Sequence, residues 1–169
     1  MIEVDPLPAE TKTISTWVNF ADISGNAYRS MVLHDKKSAL AIGYYSGKII
    51  TYVGTSNNGG TGSCVIANLS SNTWYHITVV KTGTLTRDVY INGEKATATS
   101  NGWWGGDLAK FSIGGRHIGG AYSNYFTGKI VDVRAYATAL TETQIKELYK
   151  TSMIVDSSGN IYARELVET

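Results

Sequence analysis

Thr73-Trp74-Tyr75-His76-Ile77-Thr78-Val79-Val80, followed by Arg87-Asp88-Val89-Tyr90-Ile91-Asn92-Gly93, is the stretch on which the reading of this chain turns. Its first half is a nearly unbroken run of aromatic and β-branched residues, the types that fit a pleated, half-buried surface. Its second half ends on Asn-Gly, the dipeptide that tolerates the two positive φ angles of a type I′ turn. Together they predict two strands and a hairpin, with Lys95 to Thr99 returning as the partner strand.

Outward from that stretch the same rhythm continues. Thr13 to Phe20 alternates, with Ile14, Thr16, Val18 and Phe20 on one face and Thr13, Ser15, Trp17 and Asn19 on the other. Met31–His34, Leu40–Tyr44, Lys48–Val53, Phe111–Gly114 and Lys129–Tyr136 read as further strands, spaced by turn residues as in a sandwich. Thr55–Ser63 is polar and glycine-rich and reads as a loop. Ser100–Asp107 and Gly114–Tyr125 mix glycines with aromatics and read as two more. One helix stands out: Thr141 caps it, and Gln144 completes a capping box. Leu140 and Ile145 take the staple positions, Ile145, Leu148 and Tyr149 form the apolar stripe, and the helix ends near Lys150. The tail alternates again around Ser157-Ser158-Gly159-Asn160, predicting a terminal β-hairpin. The expected organisation is an entry segment over 1–10, a sandwich over 11–150 and a β extension over 151–169.

Composition narrows the function classes. The 169 residues suit one domain, and a charged fraction of 17% with 18 glycines and 11 tyrosines favours strands joined by turns. A net charge of +1 with no basic cluster leaves no electrostatic footprint for nucleic acid. No apolar stretch approaches the roughly 20 residues of a spanning helix, so no membrane partner is expected. Cys64 is the only cysteine, which excludes an internal disulfide. The opening Met1 to Pro6 has neither the basic start nor the apolar run of a signal peptide.

Catalysis is not expected. Glycoside hydrolysis needs two carboxyl groups about 5 to 9 Å apart. Between Thr11 and Thr141 there is one glutamate, Glu94, while Asp22, Asp35, Asp88, Asp107 and Asp132 are scattered. His34, His76 and His117 lie far apart, and His76, inside the strongest strand, reads as a hydrogen-bonded structural residue. Calcium takes six to eight oxygens. Asp22 and Asn26 in one loop could supply some of them with Asp132, although Asp and Asn are also ordinary turn residues.

The aromatics offer a binding surface. Flat rings stack on the apolar faces of sugars while polar tips fix the hydroxyls. Trp17 and Trp74 fall in strands and read as core. Trp103 and Trp104 are hemmed by glycines, and on an extended chain one ring enters the core while the other faces out. Arg116, His117, Tyr122, Asn124 and Tyr125 gather in the second aromatic loop. If the two loops meet at one end of the sandwich they form a ligand surface. The alternative is that they cap the core or pack against a neighbouring subunit.

Three segments, in order, resemble the laminin-G-like branch of the concanavalin-A-like sandwiches. They are Thr13–Val18 with its tryptophan, Thr73–Val80 running on to Val89–Gly93, and Phe126–Tyr136 followed by Ala139-Leu140-Thr141 and the helix. The resemblance implies an all-β, two-sheet antiparallel jelly-roll with one short C-terminal helix. Relatives often carry two adjacent acids after the isoleucine of the closing strand. Here the pair is Val131-Asp132, so a calcium site of that kind has lost one ligand. The tail is similar to the β extension that follows such domains in phage structural proteins. The resemblance implies a non-catalytic, lectin-like module binding a glycan or cell-surface polysaccharide, carried on a virion or extracellular surface, with calcium as its one candidate cofactor. A structural or assembly module packed against copies of itself or virion neighbours is the alternative. A glycoside hydrolase is the third reading, although the related glucanases place Glu, Asp and Glu on one strand and this chain does not.

Overall fold

The computed structural model describes residues 2–3, 11–24, 29–33, 40–55, 59–65, 68–103, 111–118, 121–152, 154–155 and 161–162. Its strands in the first half of the chain are β1 (Ile2–Glu3), β2 (Thr13–Phe20), β3 (Arg29–Leu33), β4 (Leu40–Tyr45), β5 (Lys48–Thr55), β6 (Gly59–Val65) and β7 (Trp74–Lys81). Then come β8 (Arg87–Ile91), β9 (Glu94–Lys95), β10 (Ala98–Trp103), β11 (Ser112–Ile113), β12 (Arg116–Ile118), β13 (Ala121–Ser123) and β14 (Gly128–Tyr136). Helix α1 (Glu142–Ser152) follows, and β15 (Ile154–Val155) with β16 (Ile161–Tyr162) closes the chain.

These strands make an antiparallel two-sheet sandwich. The large sheet runs β1-β11-β3-β4-β5-β6-β10, and the small sheet runs β14-β2-β7-β8-β9. Apolar side chains from both inner faces interlock between them: Ile14, Val18, Phe20, Ile77, Val79 and Val89 from one side, Val32, Leu40, Ile42, Tyr44, Ile49 and Val53 from the other. Burying each such side chain contributes about 1.5–3 kcal/mol.

The alternation of β2 would leave Thr13, Ser15 and Trp17 in water if the sheet had an open outer face. They are buried instead, because α1 lies across them. Trp17 donates its indole N–H to Ser152 Oγ at 2.8 Å and stacks on Tyr149 with ring centroids 5.5 Å apart. The helix starts where its cap chemistry dictates. Gln144 N–H donates to Thr141 Oγ1 at 3.3 Å, and Thr141 N–H donates to Gln144 Oε1 at 2.9 Å. Ile145 then packs with Val80 and Tyr90, and Leu140 closes the staple.

Asn92 and Gly93 take φ of 52° and 79°, the type I′ turn their sequence demands. A Cβ on Gly93 would also sit 3.2 Å from the Tyr149 ring, so this glycine serves both the turn and the helix.

Four expectations are corrected. Segment 59–65 is a strand, not a loop: β6 is laddered to β5 on one side and β10 on the other, so backbone pairing holds it where side-chain propensity is weak. Gly62 of this strand is paired with Tyr52, whose hydroxyl would lie 2.5 Å from a Cβ on Gly54 of β5. The return strand after the Asn-Gly turn is only Glu94–Lys95, because the chain then crosses to pair with β6 in the large sheet. Positions 100–103 belong to that crossing strand, with a register shift between Ser100 and Trp103. The second aromatic loop contains the β12–β13 ribbon. The tail is paired as predicted, Ile154 with Tyr162 and Val155 with Ile161, and α1 runs two residues past Lys150.

Gly128 begins β14 at φ 150°, and a Cβ there would fall on the Asn19 carbonyl and 2.8 Å from the Phe126 ring. Gly128→Ala should therefore destabilise the fold by at least about 2 kcal/mol. Gly47→Ala, where an added Cβ meets nothing within 4 Å, should lose only about 1 kcal/mol, from its positive φ. Urea unfolding of both variants checks the contrast.

Candidate functional site

The second aromatic segment is built onto one end of the sandwich. Gly114 N–H donates to Met31 O at 2.8 Å and Phe126 N–H donates to Gly114 O at 3.0 Å, closing the base of the β12–β13 ribbon. Within the ribbon, His117 is paired with Tyr122 and Arg116 with Ser123. Asn124 leaves the ribbon at φ 55°, half-buried, and Tyr125 follows with 55% of its surface exposed.

Other groups reach the same end. Arg29 donates from Nη1 to Thr127 Oγ1 at 3.0 Å and to Tyr125 O at 3.4 Å, tying the large sheet to the loop before β14. The Tyr44 hydroxyl donates to the Ile23 carbonyl and accepts Gly47 N–H at 2.9 Å, which holds the 21–24 loop against the β4–β5 turn. Tyr45, 43% exposed, sits on that turn. Neither Arg29 nor Tyr45 stood out in the sequence. An arginine opening a strand and one tyrosine among many carry no local signature.

Trp103 is elsewhere. It is paired with Thr61, which is paired with Val53, so position 103 is at the far end of the large sheet. From β10 to β11, where the ribbon is rooted, there are five strand steps, roughly 24 Å at ~4.8 Å each. Trp103 therefore does not lie at the ribbon. Trp104 and Asn26 lie outside the described residues.

The candidate calcium ligands do not converge either. Asp22 follows the Phe20–Gly128 pair, whereas Asp132 is four residues along β14 in the opposite direction, about 13 Å of strand. Asp22 Oδ1 accepts Ser24 N–H at 2.7 Å and Oδ2 accepts the Ser24 hydroxyl at 3.0 Å, an Asx turn that holds its carboxyl below the usual range. Asp132 stands at φ 51° in the β14 bulge and accepts Arg134 Nε–H at 2.7 Å. Among the described residues no group of three metal-ligating side chains forms. Asp88 is held by Lys95 at 2.8 Å. It lies three strands from Asp132 across the small sheet, roughly 14 Å and beyond the reach of a glycosidase pair.

One arrangement resembles nucleophile chemistry. Ser15 Oγ is 2.6 Å from His76 Nε2, and the charge of Asp132 acts on the imidazole. Ser15 and His76 are each 1% exposed, beneath Trp17 and Tyr149. His76 Nδ1 has no hydrogen-bond partner, so no carboxylate orients the ring.

A family model described as the Concanavalin A-like lectin/glucanases superfamily (Laminin_G_3) matches residues 2–146, and the chain belongs to that superfamily. No curated protein sequence matches it. The fold is similar to a botulinum neurotoxin serotype D binding domain, at 17% identity and TM-score 0.62, over 90% of this chain and 40% of that one. It is similar to the Ruminococcus gnavus IT-sialidase CBM40, solved with α2,3-sialyllactose, at 14% identity and TM-score 0.62, over 83% of each chain. It is also similar to Trypanosoma rangeli sialidase, at 17% identity and TM-score 0.57, over 83% of this chain and 23% of that one. This chain spans about two fifths of the neurotoxin structure's length. At these identities the likeness is one of fold.

Burial pushes the His76 imidazole down to about 4 from 6.5, with Asp132 opposing and Arg134 assisting. The unfolded chain takes up this proton as pH falls through about 6.5, and the folded chain only near 4. The histidine's contribution to stability is thus complete above pH 6.5 and lost between 6.5 and 4, on the order of 3 kcal/mol. Urea unfolding at pH 7 and pH 4.5 should show a smaller acid loss in His76→Gln than in the parent. Equal losses would contradict the assignment.

Proposed function

We propose that this member of the superfamily is a non-catalytic module that binds a glycan at the Tyr125 end of the sandwich. The observation that carries the reading is the Tyr125 ring, 55% exposed beside Asn124 at the root of a ribbon that pairs His117 with Tyr122. An exposed flat ring next to Asn124, on a backbone held by the Arg29 guanidinium, is the equipment of a saccharide platform. Arg29, bonded to the Tyr125 carbonyl, makes the platform rigid, which lowers the entropy lost on binding. Neighbours of the same fold are named as a binding domain and a carbohydrate-binding module, which supports the reading. The Asp22 loop at the same end is the place where a calcium ion would act, without Asp132.

The location that fits such a platform is a virion or extracellular surface, facing a cell-surface polysaccharide. A second reading, assembly with copies of itself or with virion neighbours, is favoured by one feature. Strands β15 and β16 pair with each other and with neither sheet. A solution mass that falls to the monomer when residues 153–169 are removed would support it.

A glycan array followed by calorimetry, with and without calcium, tests the primary reading. Tyr125→Ala should weaken the best saccharide at least about tenfold, or ~1.4 kcal/mol, with the unfolding temperature unchanged. Reducing-sugar release from the bound glycan should be nil. An array with no saccharide bound under either condition would overturn the proposal.

A further inference from the structure

The outer face of the small sheet, under α1, holds polar groups whose hydrogen bonding is incomplete. Tyr75, Ile77 and Val79 of β7 point into the core, so His76, Thr78 and Val80 point the other way. His76 is 1% exposed and Thr78 is fully buried. Among the described residues, His76 Nδ1 and Thr78 Oγ1 are buried with no hydrogen-bond partner. His76 Nε2 lies 2.6 Å from Ser15 Oγ, and the ring rests against Trp17 and Tyr149 at centroid distances of 5.2 and 5.9 Å. Buried polar atoms left unpaired cost free energy, so part of what α1 gains by docking is given back. The helix is also anchored apart from the core. Among the described residues, the core cluster contains none from α1. Ile145 packs instead with Val80 and Tyr90, joined by Leu140, and Trp17 holds Ser152 and Tyr149. Elements with few buried apolar contacts open locally while the rest of a domain stays folded.

A proton on His76 acts at that interface. Neutral imidazole has one donor and one acceptor nitrogen, whereas the imidazolium carries an N–H on both. With Nε2 against Ser15, the Nδ1–H of the cation lies under α1 with no acceptor, and its charge is withdrawn from water. The charged groups acting on the ring are Asp132 and Arg134 of β14, the first favouring the cation and the second opposing it. Asp132 is itself engaged by Arg134 at 2.7 Å. The other elements packed around His76 supply no counter-charge. From β2 come Ser15 and Trp17, from α1 Tyr149, and from the β8–β9 turn Asn92, whose Oδ1 accepts the His76 backbone N–H at 2.9 Å. Lifting α1 gives Nδ1–H access to water and leaves the apolar core on the other face of the sheet undisturbed.

We propose that α1 is an acid-operated cover, which lifts from the small sheet as His76 takes up a proton while the two-sheet core stays folded. What it uncovers is the face formed by Ser15, Trp17, His76 and Thr78. Burial holds the covered imidazole down to about 4 from 6.5, so the covered form is favoured above pH 6.5 and loses ground from there down to about 4. The lifted form, with its imidazole in water, gains about twentyfold in population between pH 7 and pH 5.

Amide hydrogen exchange, corrected for the intrinsic pH dependence of the exchange reaction, tests it. At every pH the amides of residues 146–152 should be at least about tenfold less protected than those of 14–18 in β2 and 77–79 in β7. Their protection should fall about twentyfold from pH 7 to pH 5, with the fall beginning near pH 6.5. In His76→Gln it should change little over the same range. Equal protection of helix and strands would mean that α1 leaves only when the whole domain unfolds, and would overturn the inference. So would the absence of a fall, or the same fall in His76→Gln. The starting point of the fall is read on the parent chain and decides the matter even where the variant does not fold. A fall that begins only below about pH 5, where glutamates take up protons, would assign it to carboxylates and overturn the inference.

Discussion

The pairing of β2 with β7 is the constraint on which the rest of the molecule depends. Seven consecutive cross-strand pairs, from Thr13↔Val80 to Asn19↔Trp74, place these two strands at the middle of the small sheet and bury them on both faces. One face is the sandwich core. The other would expose Trp17, Thr78 and His76, so it must be covered, and α1 does this through Tyr149, Ser152 and Ile145. The capping box at Thr141 is thus a requirement of the sheet as well as of the helix, because it fixes where the covering begins.

That register also decides what each end of the sandwich can do. Phe20 at one terminus of β2 leads to Asp22 and lies beside Gly128 and Phe126, so the Tyr125 segment is assembled there. Lys12 precedes the other terminus, and its carbonyl accepts Lys81 N–H. A slip of one residue would turn Ile14, Val18 and Phe20 out of the core. The acid sensitivity of His76 belongs to the same constraint, since its imidazole opposes Trp17 in the ladder and cannot leave without opening the sheet.

Much of this was legible in the residues. Val89 to Gly93 announces its hairpin because Asn-Gly has few other uses in a strand context, and Thr141 to Tyr149 announces its helix through cap and stripe together. Strand β6 was not legible, since Gly59-Gly60-Thr61-Gly62 has no propensity of its own and is held by ladders on both sides. The β12–β13 ribbon was hidden because the glycines around it read as loop chemistry. Of the site, Tyr125 could be picked out as an aromatic in a polar setting. That Trp103 sits at the far end follows only from long-range register, which no local window contains.

We propose that this sandwich holds a glycan at its Tyr125 end and not in its interior. Backbone amide spectra recorded during titration with a bound saccharide test it most directly. Shifts are expected at residues 21–24, 44–48 and 114–127, while those of Ser15, His76 and Trp17 stay in place. Perturbations centred on Ser15 and His76, with none at Tyr125, would contradict it.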